Sequence, residues 1–201
     1  MQVSSSRGAA ARLAFAVAAF TFAAPALAEG GTIKGKVDAT PPKWLEDTVV
    51  YLKEVPGTYP PKTHALDQKG MRFLPHVMTI VVGDTVKFLN HDTLVHNVYS
   101  PDGEGYNLGS FKQDEERTYT FSKPGPYSQL CSIHPEMLGY VFVGQNPYAS
   151  PVDSKKGTFE IKNVPPGTYK LSVWNSHLKA ADKTVTVAAG KTLDESFSVK
   201  R

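Results

Sequence analysis

Residues 129–139 read QLCSIHPEMLG and place Cys131, His134 and Met137 at a Cys-x2-His-x2-Met spacing. A further imidazole is available upstream, from the segment NHDTLVHNV at 90–98, which contains His91 and His96. One thiolate, two imidazoles and one thioether make a soft, mixed ligand set, and copper is the metal expected for two histidines and a cysteine with a weak axial methionine. Zinc also accepts cysteine and histidine, but thioether is not among its usual ligands. The position of Met137 therefore favours copper.

The region around this motif resembles the cupredoxins, in particular those of the amicyanin, pseudoazurin and plastocyanin type. The resemblance covers roughly residues 63–146, and it rests on His96-Asn97 followed about 35 residues later by the Cys-x2-His-x2-Met motif. Three shorter segments support it: VGDTVKF at 82–88, GPY at 125–127 and GYVFV at 139–143. The two-residue gap before the methionine matches amicyanin and pseudoazurin better than plastocyanin, whose loop is longer.

The resemblance implies a complete set of ligands and one supporting residue. The ligands of a single type 1 copper ion would be His96, Cys131, His134 and Met137. The backbone N–H of Asn97 would donate to the Cys131 sulfur, and the Asn97 side chain would tie the two ligand loops together. Contacts of this kind hold the geometry of a metal site and tune its reduction potential.

Four protein ligands around copper leave no open coordination position for a substrate, which favours an electron carrier over an oxidase or reductase. We therefore expect an exported type 1 blue copper protein, not an enzyme, that carries single electrons between redox partners. Two alternatives stay open: a periplasmic copper-delivery or storage protein, and a non-redox envelope or carbohydrate-binding module. Delivery sites usually expose several Met or His side chains, whereas the mature chain has only Met71, Met78 and Met137.

A redox partner such as a cytochrome or a dehydrogenase would bind weakly and transiently. We expect it to meet a small apolar patch beside His134. The candidates for that patch are Pro135, Met137 and Leu138, with Leu74 and Pro75 on the same rim.

The composition indicates an all-β protein. Gly and Pro residues punctuate short runs rich in Val, Thr, Tyr and Phe, and no long stretch shows a convincing 3.6-residue period. In Thr168–Trp174 the apolar residues alternate and predict one buried face. We predict a Greek-key cupredoxin β-sandwich that is inserted into, or flanked by strands of, a second smaller β-sandwich.

The second sandwich is predicted from both ends of the chain. Residues 155–201 resemble the second half of the carboxypeptidase regulatory-like, or transthyretin-like, sandwich. The strands expected for the first half of that family, 31–37 and 49–52, occur before the cupredoxin region. We infer a discontinuous sandwich, 29–60 plus 149–201, with the cupredoxin domain at 63–146 inserted between its strands. The alternative is one longer cupredoxin with extra terminal strands.

The first 28 residues have the features of a secretory signal peptide. Arg7 and Arg12 precede an apolar run over residues 13–24, and the segment ends on the small-x-small site 26–28. The run is short for a membrane span of about 20 residues, so cleavage after Ala28 is preferred over an N-terminal anchor. This predicts a periplasmic or secreted protein without stable membrane insertion.

In an exported protein, the number of cysteines is informative. Cysteines normally pair in oxidising compartments, yet Cys131 is the only one in the chain. A lone cysteine is an intermolecular bridge, an inert buried thiol or a metal ligand. Its histidine and methionine neighbours favour the metal ligand.

The net charge indicates no nucleic-acid partner. The chain has 22 Lys+Arg against 19 Asp+Glu, or +3. Removal of Arg7 and Arg12 with the signal leaves 20 against 19, or +1. A nearly neutral protein has no electrostatic preference for nucleic acid or an acidic membrane surface.

The four other histidines are weaker candidates. His91 could be an alternative ligand but is expected to be an exposed loop residue. His76 could lie near the copper-facing end, and the sequence leaves its role open. We expect His64 and His177 to be surface residues, and Trp174 to pack at the end of its strand.

Overall fold

The structure is a computed structural model that describes residue 2 and residues 29–201, and it is built almost entirely of β-strands. In chain order the strands are β1 Gly31–Ala39, β2 Thr48–Leu52, β3 Thr63–Gln68, β4 Phe73–Leu74, β5 Val77–Val81, β6 Thr85–Asn90, β7 His96–Ser100, β8 Tyr106–Phe111, β9 Glu116–Thr120, β10 Gly125–Leu130, β11 Leu138–Gly144, β12 Ala149–Pro151, β13 Thr158–Val164, β14 Gly167–Asn175, β15 Lys183–Val187 and β16 Thr192–Val199. A 3-10 helix, Pro42–Asp47, lies between β1 and β2. The predicted all-β class is confirmed.

The predicted signal peptide, residues 1–28, lies outside the described residues except for residue 2. Within the described part of the chain, no helix has the length and apolar character needed to cross a bilayer.

Two sheets combine strands from both ends of the chain. One has the order β13-β1-β16 and the other β12-β2-β14-β15. Strand β1 runs parallel to β16, from the pair Thr32 and Thr192 to the pair Ala39 and Val199, and antiparallel to β13. Alternating apolar residues face a shared core, which includes Ile33, Val37, Leu52, Phe159, Ile161, Leu171, Val185, Val187 and Phe197. We call these two sheets the outer sandwich.

The other two sheets come from the middle of the chain. Their orders are β5-β11-β10-β7-β8 and β4-β3-β6-β9. They enclose a second core, which includes Leu66, Phe73, Val86, Phe88, Val98, Phe111, Phe121, Tyr127, Cys131, Met137 and Val141. We call them the inner sandwich. The two separate cores agree with the expectation of two β-sandwiches.

Strand β11 contributes to two apolar clusters because successive side chains of a strand point to opposite faces. Val141 and Val143 face the core of the inner sandwich. Tyr140 and Phe142 point the other way and form a third apolar cluster, packed against Trp174 of β14. The outer sandwich therefore covers one face of the strand that follows Met137.

The strands predicted at 31–37, 49–52 and 168–174 are observed as β1, β2 and β14, whereas the sequence gives no strand pattern for β3, β4, β8 and β12. The sequences of β3, THALDQ, and β8, YNLGSF, contain Asp, Asn and Gly, which are depleted in strands. Tertiary pairing overrides this weak propensity, since β3 pairs with β6 along its whole length and β8 pairs with β7. Strands β4 and β12, with two and three residues, are too short to give a pattern.

Candidate metal centre

The predicted ligands lie at the ends of three neighbouring strands, on the same side of the five-stranded sheet. His96 is the first residue of β7. Cys131 directly follows β10, and the loop from Cys131 to Met137 leads into β11. Strands β7, β10 and β11 are neighbours in the sheet. Pairing between adjacent strands therefore places these segments side by side.

The donor atoms of three residues form one cluster. Nδ1 of His96 lies 3.0 Å from Nδ1 of His134, and Nδ1 of His134 lies 3.8 Å from Sγ of Cys131. All three donor atoms lie within 4.8 Å of one another. His96 is 0% exposed and Cys131 is 3% exposed, whereas His134 is half-buried. The cluster is thus closed on the protein side and reaches solvent through His134.

Met137 lies on the inner side of the same loop. It is 1% exposed and belongs to the same apolar cluster as Cys131. Its backbone N–H donates to the His134 carbonyl over 3.0 Å, which closes a tight turn between the two residues. The fourth predicted residue is therefore turned into the core that also contains Cys131.

Asn97 connects the two segments that carry the cluster. Its backbone N–H donates to Sγ of Cys131 over 3.4 Å. Its side-chain Oδ1 accepts from the backbone N–H of Ser132 over 3.2 Å, and its Nδ2 donates to Oδ1 of Asn107 over 2.9 Å. Two of these bonds tie the start of β7 to the loop that follows β10.

Asp92 is a contributor that the sequence analysis missed. Its Oδ2 lies 3.0 Å from Nε2 of His96 and also accepts from the backbone N–H of Met71 over 2.8 Å. The Met71 amide, and next the His96 ring, hold the pKa of Asp92 below its usual value. Because Asp92 engages Nε2, it leaves Nδ1 of His96 to the cluster. Its position four residues before His96 was the available signal.

The donor set fits a single metal ion. Ring nitrogens coordinate metal ions at about 2.0–2.1 Å, so two that share an ion lie within about 4.2 Å of each other. The 3.0 Å between the two Nδ1 atoms meets this condition. The carboxylate on the far nitrogen of His96 is also typical, since a ligating histidine usually donates its other N–H to such a group. With a thiol and a buried thioether nearby, these donors fit copper better than zinc.

The remaining histidines lie outside this cluster. His91 is exposed, as expected, and its Nδ1 lies 2.9 Å from Oδ2 of Asp67. His64 is half-buried rather than a free surface residue, since its Nε2 lies 2.8 Å from the buried Asp84. His177 is exposed and stacks on Trp44.

His76 bonds to a buried carboxylate of the outer sandwich. Its Nε2 lies 2.6 Å from Oδ1 of Asp47. The hydrogen bond to Asp47 raises the pKa of His76, and partial burial of the ring opposes this rise. Trp174 packs on Tyr140 and Phe142 between the sandwiches.

Exposed apolar side chains surround the cluster. Among the described residues, the large exposed apolar side chains are Met71, Leu74, Leu94, Val95, Ile133 and Leu138. All of them lie in loops or strand ends that carry the cluster or contact it. Pro75 and Pro135 are also exposed there. The prediction that Met137 belongs to this patch is wrong, because its side chain is buried in the core.

Comparison with known proteins identifies both β-regions. Residues 62–144 match the family model of the copper-binding proteins of the plastocyanin/azurin family. Residues 143–195 match the model of polysaccharide lyase family 4, domain II. The middle of this chain is therefore similar to the copper-binding domains of the plastocyanin/azurin family, and residues 143–195 are similar to a second, fibronectin-like β domain.

Among characterised proteins, the chain is similar to two amicyanins. It is 27% identical over 107 residues to amicyanin from Paracoccus versutus, covering 50% of this chain and 81% of that protein. It is 32% identical over 82 residues to amicyanin from Paracoccus denitrificans, covering 39% of this chain and 63% of that protein.

A solved structure with a similar region is the copper-containing nitrite reductase from Thermus scotoductus. The identity is 32% and the TM-score 0.39, over 41% of this chain and 22% of the reductase chain. At that TM-score and coverage, the likeness carries no argument about activity.

Proposed function

We propose that this protein is an exported type 1 blue copper protein that carries single electrons and is not an enzyme. Its one copper ion would be held by His96, Cys131, His134 and Met137. The observation that carries the proposal is the convergence of two imidazole nitrogens on the only thiol of the chain. The match to the plastocyanin/azurin copper-binding family supports it.

Bound copper would supply a one-electron couple, and the protein would supply a site that changes little between the two oxidation states. His96 and Cys131 are held by Asp92 and Asn97, respectively. Both ligand loops are linked through the Asn97 side chain and Ser132. Side chains already held in place need not move when one electron arrives or leaves, which keeps the energetic cost of reorganisation low.

Electron exchange would take place at the His134 end. His134 is the partly exposed member of the cluster, and Ile133, Pro135 and Leu138 beside it are exposed. A small apolar patch suits a weak, short-lived complex. We propose that a redox protein, such as a cytochrome or a dehydrogenase, docks here transiently.

The domain arrangement belongs to the same proposal. We assign residues 29–60 and 149–201 to one discontinuous domain and residues 63–146 to the cupredoxin domain inserted in it. The pairing of β1 with β13 and β16 supports this division. Cleavage of the leader after Ala28 would deliver the protein to the periplasm or the exterior.

The test is to load the purified protein with copper and record visible, spin-resonance and voltammetric data. We expect one copper per chain, an intense thiolate-to-copper band that disappears on reduction, and a reversible redox wave. Cys131→Ser should abolish the band. His134→Asn should weaken copper binding, whereas the control His91→Asn, at an exposed histidine outside the cluster, should leave both colour and binding unchanged.

Two other outcomes of this experiment would argue against an electron carrier. A colourless copper-loaded protein contradicts the proposal. Rapid loss of copper to a chelator without a redox wave would instead indicate a delivery or storage protein.

A further inference from the structure

A buried carboxylate of the outer sandwich lies against the inner sandwich near the metal centre. Asp47 ends the 3-10 helix Pro42–Asp47 and is 3% exposed. Its Oδ1 lies 2.6 Å from Nε2 of His76, and its Oδ2 accepts a hydrogen bond from the Ser176 hydroxyl. Both carboxylate oxygens are therefore used, one of them across the boundary between the sandwiches.

Burial of a carboxylate is costly unless it is paired and hydrogen-bonded. His76 is its hydrogen-bond partner across the boundary, and Glu46 stands on the same helix as Asp47. Ser176, which bonds to the other oxygen, also lies 2.6 Å from Nδ1 of His177. Arg72 and Glu136 line the same open cavity of about 500 Å³. His76 is thus a group of the inner sandwich that Asp47 contacts directly.

His76 in turn contacts the segment that directly follows Met137. The His76 carbonyl accepts from the backbone N–H of Tyr140 over 2.8 Å. The His76 ring packs edge-on against the Tyr140 ring, with centroids 5.8 Å apart. Met137 and this segment are consecutive in the chain.

Close packing leaves little room for movement between the segment that contains His76 and the residues that follow Met137. A Cβ built at Gly139 would lie 2.8 Å from Cβ of Phe73 and 3.1 Å from the His76 carbonyl oxygen. Glycine is needed at this position because any larger residue would push the two segments apart. Trp174 of the outer sandwich packs against β11, with its ring centroid 5.1 Å from that of Tyr140.

From this continuous set of contacts we infer that Asp47, acting through His76, is a positioning residue for the Met137 side of the metal centre. The outer sandwich is then a working part of the copper site and not only a carrier for it. This inference rests on the proposed function. The axial thioether is a weak ligand that tunes the reduction potential of a blue copper site. Contacts that fix the position of Met137 would therefore influence that potential.

The test compares Asp47→Asn with a matched variant, Asp84→Asn. Asp84 is also a buried carboxylate, and it lies 2.8 Å from a partly exposed histidine, His64. It stands in the turn after β5, next to the far end of β11, because Val81 pairs with Gly144. Both variants remove one buried carboxylate charge from an Asp–His pair, but only Asp47→Asn disturbs the Met137 end.

We expect Asp47→Asn to bind one copper, to change the relative intensity of its visible bands and its spin-resonance splitting, and to lose copper to a chelator roughly tenfold faster. Asp84→Asn should keep the wild-type spectrum and release rate. His76→Gln should reproduce the effect, and adding Asp47→Asn to His76→Gln should change nothing further, because Asp47 acts through His76. A spectrum and release rate equal to wild type in Asp47→Asn overturn the inference, as do equal changes in Asp84→Asn.

A second measurement uses the metal-free protein. Amide hydrogen exchange at Tyr140, whose N–H bonds to the His76 carbonyl, should be faster in Asp47→Asn than in wild type and unchanged in Asp84→Asn. Unchanged exchange in Asp47→Asn overturns the positioning role. If wild type binds no copper while this exchange does respond, the proposed function fails and the support of the segment by Asp47 stands.

Discussion

The backbone N–H of Asn97 donates to Sγ of Cys131 over 3.4 Å, although 34 residues separate them along the chain. The same asparagine accepts from the backbone N–H of Ser132 through its side chain. Asn97 therefore determines both the environment of the sulfur and the path of the loop that follows it. Its neighbour His96 contributes a donor atom to the cluster, so one dipeptide links both halves of the site.

Replacement of Asn97 by Ala should loosen the Cys131 loop. The Ser132 amide would lose its acceptor, and leaving such a donor unpaired costs about 1–2 kcal/mol of unfolding free energy. Chemical denaturation measures that cost, and a chelator assay should show faster copper loss. Asn107→Ala is the control, since it removes the other side-chain partner of Asn97, together with the acceptor of the Gly109 amide, and leaves the bond to Ser132. Equal effects of the two variants would contradict a special role for the Ser132 bond.

Met137→Leu should leave copper bound and coloured but raise the reduction potential. Three strong donors remain, while the lost thioether stabilised the oxidised ion more than the reduced one. The swap nearly conserves volume, so the loss of stability should stay below about 1.5 kcal/mol. Voltammetry of this variant is compared with Met78→Leu, a buried methionine in the same core cluster. A potential unchanged in Met137→Leu would remove Met137 from the ligand set.

Ile133→Lys should slow electron self-exchange between two copies of the protein, measured by line broadening in mixtures of oxidised and reduced protein. Two molecules that meet through their His134 ends would then bring two added positive charges together, and like charges in an interface are unfavourable. A loss of roughly tenfold corresponds to about 1.4 kcal/mol. Ser198→Lys adds the same charge at an exposed site of the outer sandwich and should have little effect. If both variants slow exchange equally, docking at the His134 end is excluded.

The two cores can be tested with matched leucines. Leu171 in the core of the outer sandwich and Leu66 in that of the inner sandwich are both 0% exposed. Truncation of either to Ala should cost about 2–5 kcal/mol. Thermal loss of the copper absorbance should move to lower temperature mainly in Leu66→Ala, whereas Leu171→Ala should mainly affect the far-ultraviolet transition of the outer sandwich. One common transition, shifted equally by both, would show that the two sandwiches unfold as a single unit.

The Asp47–His76 pair should make stability depend on pH. The hydrogen bond to Asp47 raises the pKa of His76 above its ordinary value of 6.5. The charged ring is therefore favoured in the folded state. Its contribution is complete below pH about 6.5 and is lost as the pH rises through the folded pKa. Wild type should exceed His76→Gln in unfolding free energy by more at pH 5.5 than at pH 9. If the difference in unfolding free energy between wild type and His76→Gln is the same at both pH values, protonation of His76 does not contribute to stability through Asp47.

Local patterns were enough for much of the architecture. Alternating segments such as 168–174 predicted their strands because residues on one face share one core. Cys131, His134 and Met137 could be proposed as ligands because they lie in one short loop whose spacing is visible in the chain. Strands such as β3 escaped because their polar sequence gives no pattern until a neighbouring strand pairs with it.

The sequence by itself determined which side chains could hold a metal and which runs form strands, and it predicted a second β-region from both ends of the chain. These properties depend on residue type and on spacing over a few positions. The tertiary structure decided that Met137 points inward while Ile133 and Leu138 face solvent. It also decided that Asp92 holds His96 and that Asp47 meets His76 across two sandwiches. Such contacts follow from the packing of β-sheets against each other, which brings together residues whose separation along the chain carries no signal of their proximity.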